Sequence, residues 1–168
     1  MSAPTEADLA AVADQLGRPA RDVLGIPART RDGAPAVVST SPRLADGTPF
    51  PTFYYLTHPV LVAAMSRLEA DGRMRELNHR LETEPELAAA HEAAHRAYLA
   101  DREAVALVPE LAGVSAGGMP TRVKCLHALA AHALAAGRGV NPIGDLALQE
   151  AAAADPAVAR AVGPWAGG

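Results

Sequence analysis

Lys124, Cys125, Leu126 and His127 hold the chain's one thiol and its one lysine beside an imidazole. Such side chains carry nucleophilic, acid–base and metal-ligating chemistry, and spacing decides which can act together. On a regular helix Cys125 and His127 diverge by about 200°, so they cannot ligate one ion unless that turn is irregular. Cys125 and His132 share a direction but stand about 10 Å apart along the axis, too far for co-ligation. His127 falls between Val123 and Ala130 on the apolar face, the place of a hydrogen-bonded core histidine. Lys124 and His127, at i and i+3, can line one end of a pocket with His95 or Arg102 from an upstream helix, a set suited to an anion or to acid–base chemistry. No complete catalytic set emerges from these residues.

His58 stands beside Thr57, the expected cap of a helix, where free amides can meet a ligand. With Cys125 it makes the metal pair the sequence offers, since imidazole and thiolate both suit Zn²⁺. His91, Glu92 and His95 match the H-E-x-x-H spacing of zinc peptidases, in which two histidines one turn apart hold the ion and the glutamate activates water. No third ligand is evident, Tyr98 occupies the place of the metzincin glycine, and Ala-rich helices produce such spacings by chance.

The elements that must position these residues are mostly helical. Thr5 to Asp8 form a capping-box-like start, followed by Leu9, Val12 and Leu16 at helical spacing up to Gly17. From 18 to 51 repeated Pro and Gly break any long period, leaving a loop-rich segment with a short strand near Ala36–Ser39. A second strand is expected at Thr52–Leu56. Pro59 then sits in a first helical turn ahead of Val60, Leu61, Ala64, Met65 and Leu68. A further piece runs from Arg73 to about Leu81, and a long helix from Glu84 to about Val108 buries a face that includes His91. The last helices are expected at 120–136 and after Asn141, with a frayed tail from about 155 to 168. Phe50, Phe53, Tyr54 and Tyr55 are four of the chain's six aromatic residues, which marks that stretch as core or as an interaction face.

Composition narrows the function classes. A net charge of −4 without a basic block argues against nucleic acid, which needs clustered Lys or Arg. The acidic start does not read as a signal peptide, and no long uncharged apolar run indicates membrane insertion. One cysteine excludes an intrachain disulfide, and the chain is expected to be cytoplasmic.

Two stretches, GTPFPTFYYLTHP at 47–59 and GGMPTRVKCLHALAAHALAAGRGVNPIGD at 117–145, resemble the bacterial family known as domain of unknown function 501, in its actinobacterial form. QLGR at 15–18, PAVV at 35–38, RLE at 67–69 and AHRAYLADR at 94–102 extend the resemblance along most of the chain. It implies no defined activity. The family's genes tend to lie near those for a septum-forming membrane protein and an exopolyphosphatase-like enzyme, which implies a protein partner in the division or envelope machinery. Its pattern has a Cys-x-Cys pair before Gly-x-Pro-x-Val-Val and a cysteine in the Leu-Thr-x-Pro turn. Here Thr30, Asp32 and His58 stand at those positions, which weighs against an iron–sulfur cluster and leaves zinc as the cofactor to consider.

The expectation is therefore an α+β, predominantly α-helical fold in one compact domain over 1–168, with about five helices and two short strands. The Pro-rich segment is pinned against helices 59–71, 84–108 and 120–136. The leading functional expectation is a non-catalytic interaction or regulatory protein linked to cell division or envelope growth. Its rival is a small-molecule or metal-binding enzyme with a His/Lys/Cys pocket, and the third is the H-E-x-x-H peptidase.

Overall fold

A computed structural model describes residues 2–165. Its helices begin with α1, Glu6–Leu16, closed at its start by a capping box in which Thr5 and Asp8 exchange side-chain and backbone hydrogen bonds. An antiparallel sheet follows, with β1 at Val23–Arg29, β2 at Pro35–Thr40 and β3 at Tyr54–Leu56 in the order β1-β2-β3. The remaining helices are α2, Pro59–Ala70; α3, Arg73–Thr83; α4, Pro85–Val105; α5, Leu126–Ala136; α6, Pro142–Ala154; and α7, Pro156–Val162. The fold is α+β and predominantly helical. Among the described residues it has seven α-helices and three strands rather than about five and two. No helix is long and apolar enough to cross a membrane.

Helix α5 lies at the centre because its sequence, LHALAAHALAA, is apolar nearly all round. It packs against α2, α6 and all three strands. Every residue of β2 is buried, which requires cover on both faces of the sheet. Among the described residues one hydrophobic cluster joins Val37 and Leu56 of the sheet to Leu61 and Met65 of α2, Tyr98 of α4, Leu129 of α5 and Leu148 of α6.

The segment before β3 is rich in proline, so its backbone has few strand bonds to make, and α4 satisfies it instead. The Tyr98 hydroxyl accepts from the amides of Phe53 and Tyr54 at 2.6 and 3.2 Å. The Arg102 guanidinium donates to the carbonyls of Pro51 and Leu111 at 3.1 and 2.8 Å.

Three expectations are corrected. The 18–51 segment is not simply loop: β1 runs through Gly25 and Pro27 as an edge strand whose pairing with β2 shifts register, the setting in which such residues are tolerated. The tail does not fray over 156–165. Asp155 caps α7 by accepting from the Ala157 amide, and Trp165 is buried and donates to Asp145 at 2.9 Å; the part of that expectation on 166–168 lies outside the described residues. The helix expected at 120–136 starts only at Leu126. Asn78 of α3 clamps Val123 in both directions, its oxygen accepting from the Val123 amide and its amide donating to the Val123 carbonyl, each at 2.9 Å. The Lys124 amide is meanwhile drawn to the Gly117 carbonyl at 2.7 Å, so the chain reaches Cys125 extended.

Candidate metal centre

Cys125 is the N-cap of α5, with φ −152° and ψ 110°. That extended backbone removes the helical geometry that would separate its side chain from that of His127. The sulfur of Cys125, a ring nitrogen of His127 and a carboxylate oxygen of Glu69 all lie within 4.8 Å of one another, and each residue is partly exposed. Among the described residues no other group of three His, Cys, Asp or Glu side chains converges in this way. The expectation that Cys125 and His127 serve separate surroundings is thus overturned by the irregular turn, and so is the reading of His127 as a core histidine.

Glu69 comes from the last turn of α2, where a carboxylate meets the negative end of its own helix dipole. It is held there by the positive end of another. Its Oε1 accepts from the Leu126 amide at 2.8 Å and lies 3.1 Å from His127 Nδ1. His127 Nε2 lies 3.2 Å from the Val62 carbonyl and 3.1 Å from the Ser66 hydroxyl. A carbonyl can only accept, so Nε2 carries a hydrogen in either protonation state, and Nδ1, turned to the carboxylate, is the nitrogen that gains or loses the second proton.

The electrostatics follow from these neighbours. Cys125 beside the ring, opposed by partial burial and reinforced by Glu69, raises the His127 pKa to about 9. Burial pushes the Cys125 thiol up, but the His127 ring and the Ala128 amide outweigh it, and the net direction is down. Each group thus favours the charged form of the other, thiolate beside imidazolium. One soft sulfur, one imidazole nitrogen and one carboxylate oxygen form a mixed donor set of the kind zinc accepts, and the bond from Nε2 to Val62 is the outer contact that orients a ligating histidine.

The other residues singled out by sequence go elsewhere. His58, the proposed partner of Cys125, caps the opposite end of α2, roughly 16 Å along the axis from Glu69. It is His58 rather than Thr57 that occupies the N-cap, because the Thr57 hydroxyl turns to Gln15 of α1 at 2.8 Å. Of the set of His95, Arg102, Lys124 and His127, His95 and Arg102 lie within electrostatic reach of each other on α4, but neither acts on His127. His95 Nδ1 is 2.7 Å from the Ser115 hydroxyl, Arg102 is buried on backbone carbonyls, and Lys124 is exposed. Within H-E-x-x-H, His91 is buried with its Nε2 2.9 Å from the Arg122 carbonyl, and Glu92 is exposed and paired with Arg96 at 3.0 Å. No third ligand joins them among the described residues.

Glu69 is the residue that sequence reasoning missed. Its signal was a carboxylate in the last turn of a helix, where the macrodipole disfavours it.

A family model described as "Protein of unknown function (DUF501)" matches residues 26–149, a span that contains Glu69, Cys125 and His127. No curated protein and no solved structure matches the chain.

Proposed function

We propose that this chain, which belongs to the DUF501 family, is a metal-binding protein that holds one zinc-class divalent cation through Glu69, Cys125 and His127. The observation that carries the reading is the convergence of three unlike donor atoms within 4.8 Å, with the far nitrogen of His127 already anchored on the Val62 carbonyl. Three protein ligands leave a fourth position for water or substrate, the arrangement of zinc centres that do chemistry rather than merely hold a fold together. A bound ion would supply Lewis acidity and a water of lowered pKa. The chain's own part is to present the thiolate from an extended N-cap, to fix the tautomer of His127, and to keep Glu69 at the amide end of α5.

The test is the metal content of untagged protein, with zinc titrated into the metal-free chain. Wild type is expected to bind close to one ion per chain. Cys125→Ala and His127→Ala should abolish binding, Glu69→Gln should weaken it by roughly 10–100-fold, and His58→Ala should leave it unchanged. Binding that survives Cys125→Ala, or that fails in His58→Ala alone, would sink the assignment.

A second reading, a regulatory protein that docks on a partner of the division or envelope machinery, is favoured by the apolar side chains left in water at the end of α4 and just beyond it. Leu107 is 78% exposed and Val105 46%. A wild-type chain that binds no ion would leave this reading in possession.

A further inference from the structure

A hollow of about 560 Å³ lies where the β1–β2 turn, the start of α2 and α7 meet. We propose that it binds the phosphoryl group of a small phosphomonoester. Its charged walls are Arg31 and Asp32 from the turn, His58 from the cap of α2, and Arg160 from α7; Val60 and Ala161 supply apolar surface.

The charge balance favours an anion. Neither Arg31 nor Arg160 has an ion-pair partner among the described residues, so both guanidinium groups on the wall are free to meet an anion. Asp32, the one acid on the wall, is committed to its own turn by the hydroxyl of Thr30. Two unpaired guanidinium groups in a chain of net charge −4 make a local exception to the overall field. Guanidinium presents a planar fork of donors that matches tetrahedral oxyanions, which is why arginine recurs at phosphate sites.

The hollow has donors to complete the set. Helix α2 is twelve residues long, begins with proline, and has no side-chain bond to its first amides, which leaves them and the positive end of its dipole directed at this end. His58 lines the hollow, while its Nδ1 is itself buried and has no hydrogen-bond partner among the described residues. Arg31 is also seated rather than loose. Its amide donates to the Ala161 carbonyl at 3.0 Å, and its side chain passes so close to Gly163 that a Cβ there would lie 2.7 Å from Arg31 Cδ. The volume exceeds what inorganic phosphate needs, and the alanine and valine surface suits a small apolar body carrying the phosphoryl group. The hollow and the Glu69–Cys125–His127 cluster sit at opposite ends of α2, so the two assignments stand or fall separately.

The experiment is calorimetry on the full chain in low-chloride buffer with phenyl phosphate, inorganic phosphate and benzoate. Phenyl phosphate is expected to bind more tightly than either of the others. Arg160→Gln and Arg31→Gln should each weaken it by about tenfold or more without changing the melting temperature. Asp32→Asn should strengthen it severalfold, because a like charge leaves the wall, a gain that a damaged fold would not produce. Absence of binding at millimolar phenyl phosphate, affinities unmoved by both arginine variants, or benzoate binding as tightly as phenyl phosphate would each overturn the phosphoryl assignment.

Discussion

His127 and His132 lie five positions apart on one helix, yet their surroundings drive them in opposite directions. His127 faces a thiol and a carboxylate and is raised to about 9, whereas His132 is fully buried and burial lowers it to about 4. Its ring stacks on Tyr54 at 5.7 Å and meets the edge of Tyr98 at 5.1 Å, and its Nδ1 lies 3.1 Å from the side-chain nitrogen of Asn141. An amide nitrogen donates, so Nδ1 is the acceptor and a protonated ring would lose that bond. The folded state thus binds a proton at His132 less readily than the unfolded chain does. Its stabilising contribution is complete above the ordinary histidine value of 6.5 and is lost as pH falls toward about 4. The loss amounts to about 3 kcal/mol at most. Urea denaturation at pH 7.0 and 4.5 is therefore expected to show a smaller acid destabilisation for His132→Phe than for wild type. Equal acid sensitivity would place the effect in other histidines that burial also lowers, His58, His91 and His95. The residue scale was only partly legible in the sequence. Periodicity placed His91 on a buried face correctly, but Glu69 joins the cluster across more than fifty positions, and nothing local announces a contact of that range.

At the scale of elements, legibility tracked how far local chemistry decides the outcome. The capping box at Thr5 and Asp8, the proline start of α2 and the long amphipathic α4 rest on local signals, and all three are present. β1 was hidden because Gly25 and Pro27 read as breakers, although an edge strand with register shifts can hold both. The start of α5 was misplaced because the tertiary clamp from Asn78 holds Val123 out of the helix, although its spacing with Leu126, Ala130 and Leu134 fits one helical face. That six-residue difference is what unites Cys125 with His127. The crossing of α5 and α6 gives this scale its prediction. Gly144 lies against the helix it crosses so closely that a Cβ would meet the Leu129 carbonyl oxygen at 2.2 Å and the Ala133 Cβ at 2.8 Å. The obstruction is backbone and cannot rotate aside. Gly144→Ala should destabilise by about 2 kcal/mol despite the better helix propensity of alanine, lowering the melting temperature by roughly 4–8 °C. A melting temperature at or above the wild-type value would show that the two helices separate at little cost.

For the whole molecule, the question is where the folding unit ends. The family match covers 26–149, which cuts β1 and omits α1 and α7. Those omitted pieces are not ornaments. Val12 of α1 is fully buried, Gln15 donates to the Pro35 carbonyl at 2.8 Å and accepts from Thr57, and Asp8 pairs with Arg29 at 2.8 Å. At the other end Val158, Val162 and Trp165 belong to the same hydrophobic cluster as α2 and α5, and the Trp165 indole closes on Asp145 of α6. A fragment of residues 26–149 would lose these side chains from the core, each worth roughly 1.5–3 kcal/mol when fully buried, together with the packing of α1 on the central strand β2. Against a total stability of about 5–15 kcal/mol, that is enough to cost the fragment its folded state. The fragment is expected to show no cooperative thermal transition and to lose the near-ultraviolet signal of its tyrosines. The full chain should melt in one step, because the sheet and the C-terminal helices share one core and α1 is tied to that sheet through Gln15 and Asp8. A fragment that melted cooperatively near the wild-type temperature would instead make α1 and α7 accessories to a self-sufficient unit, one that already contains Glu69, Cys125 and His127.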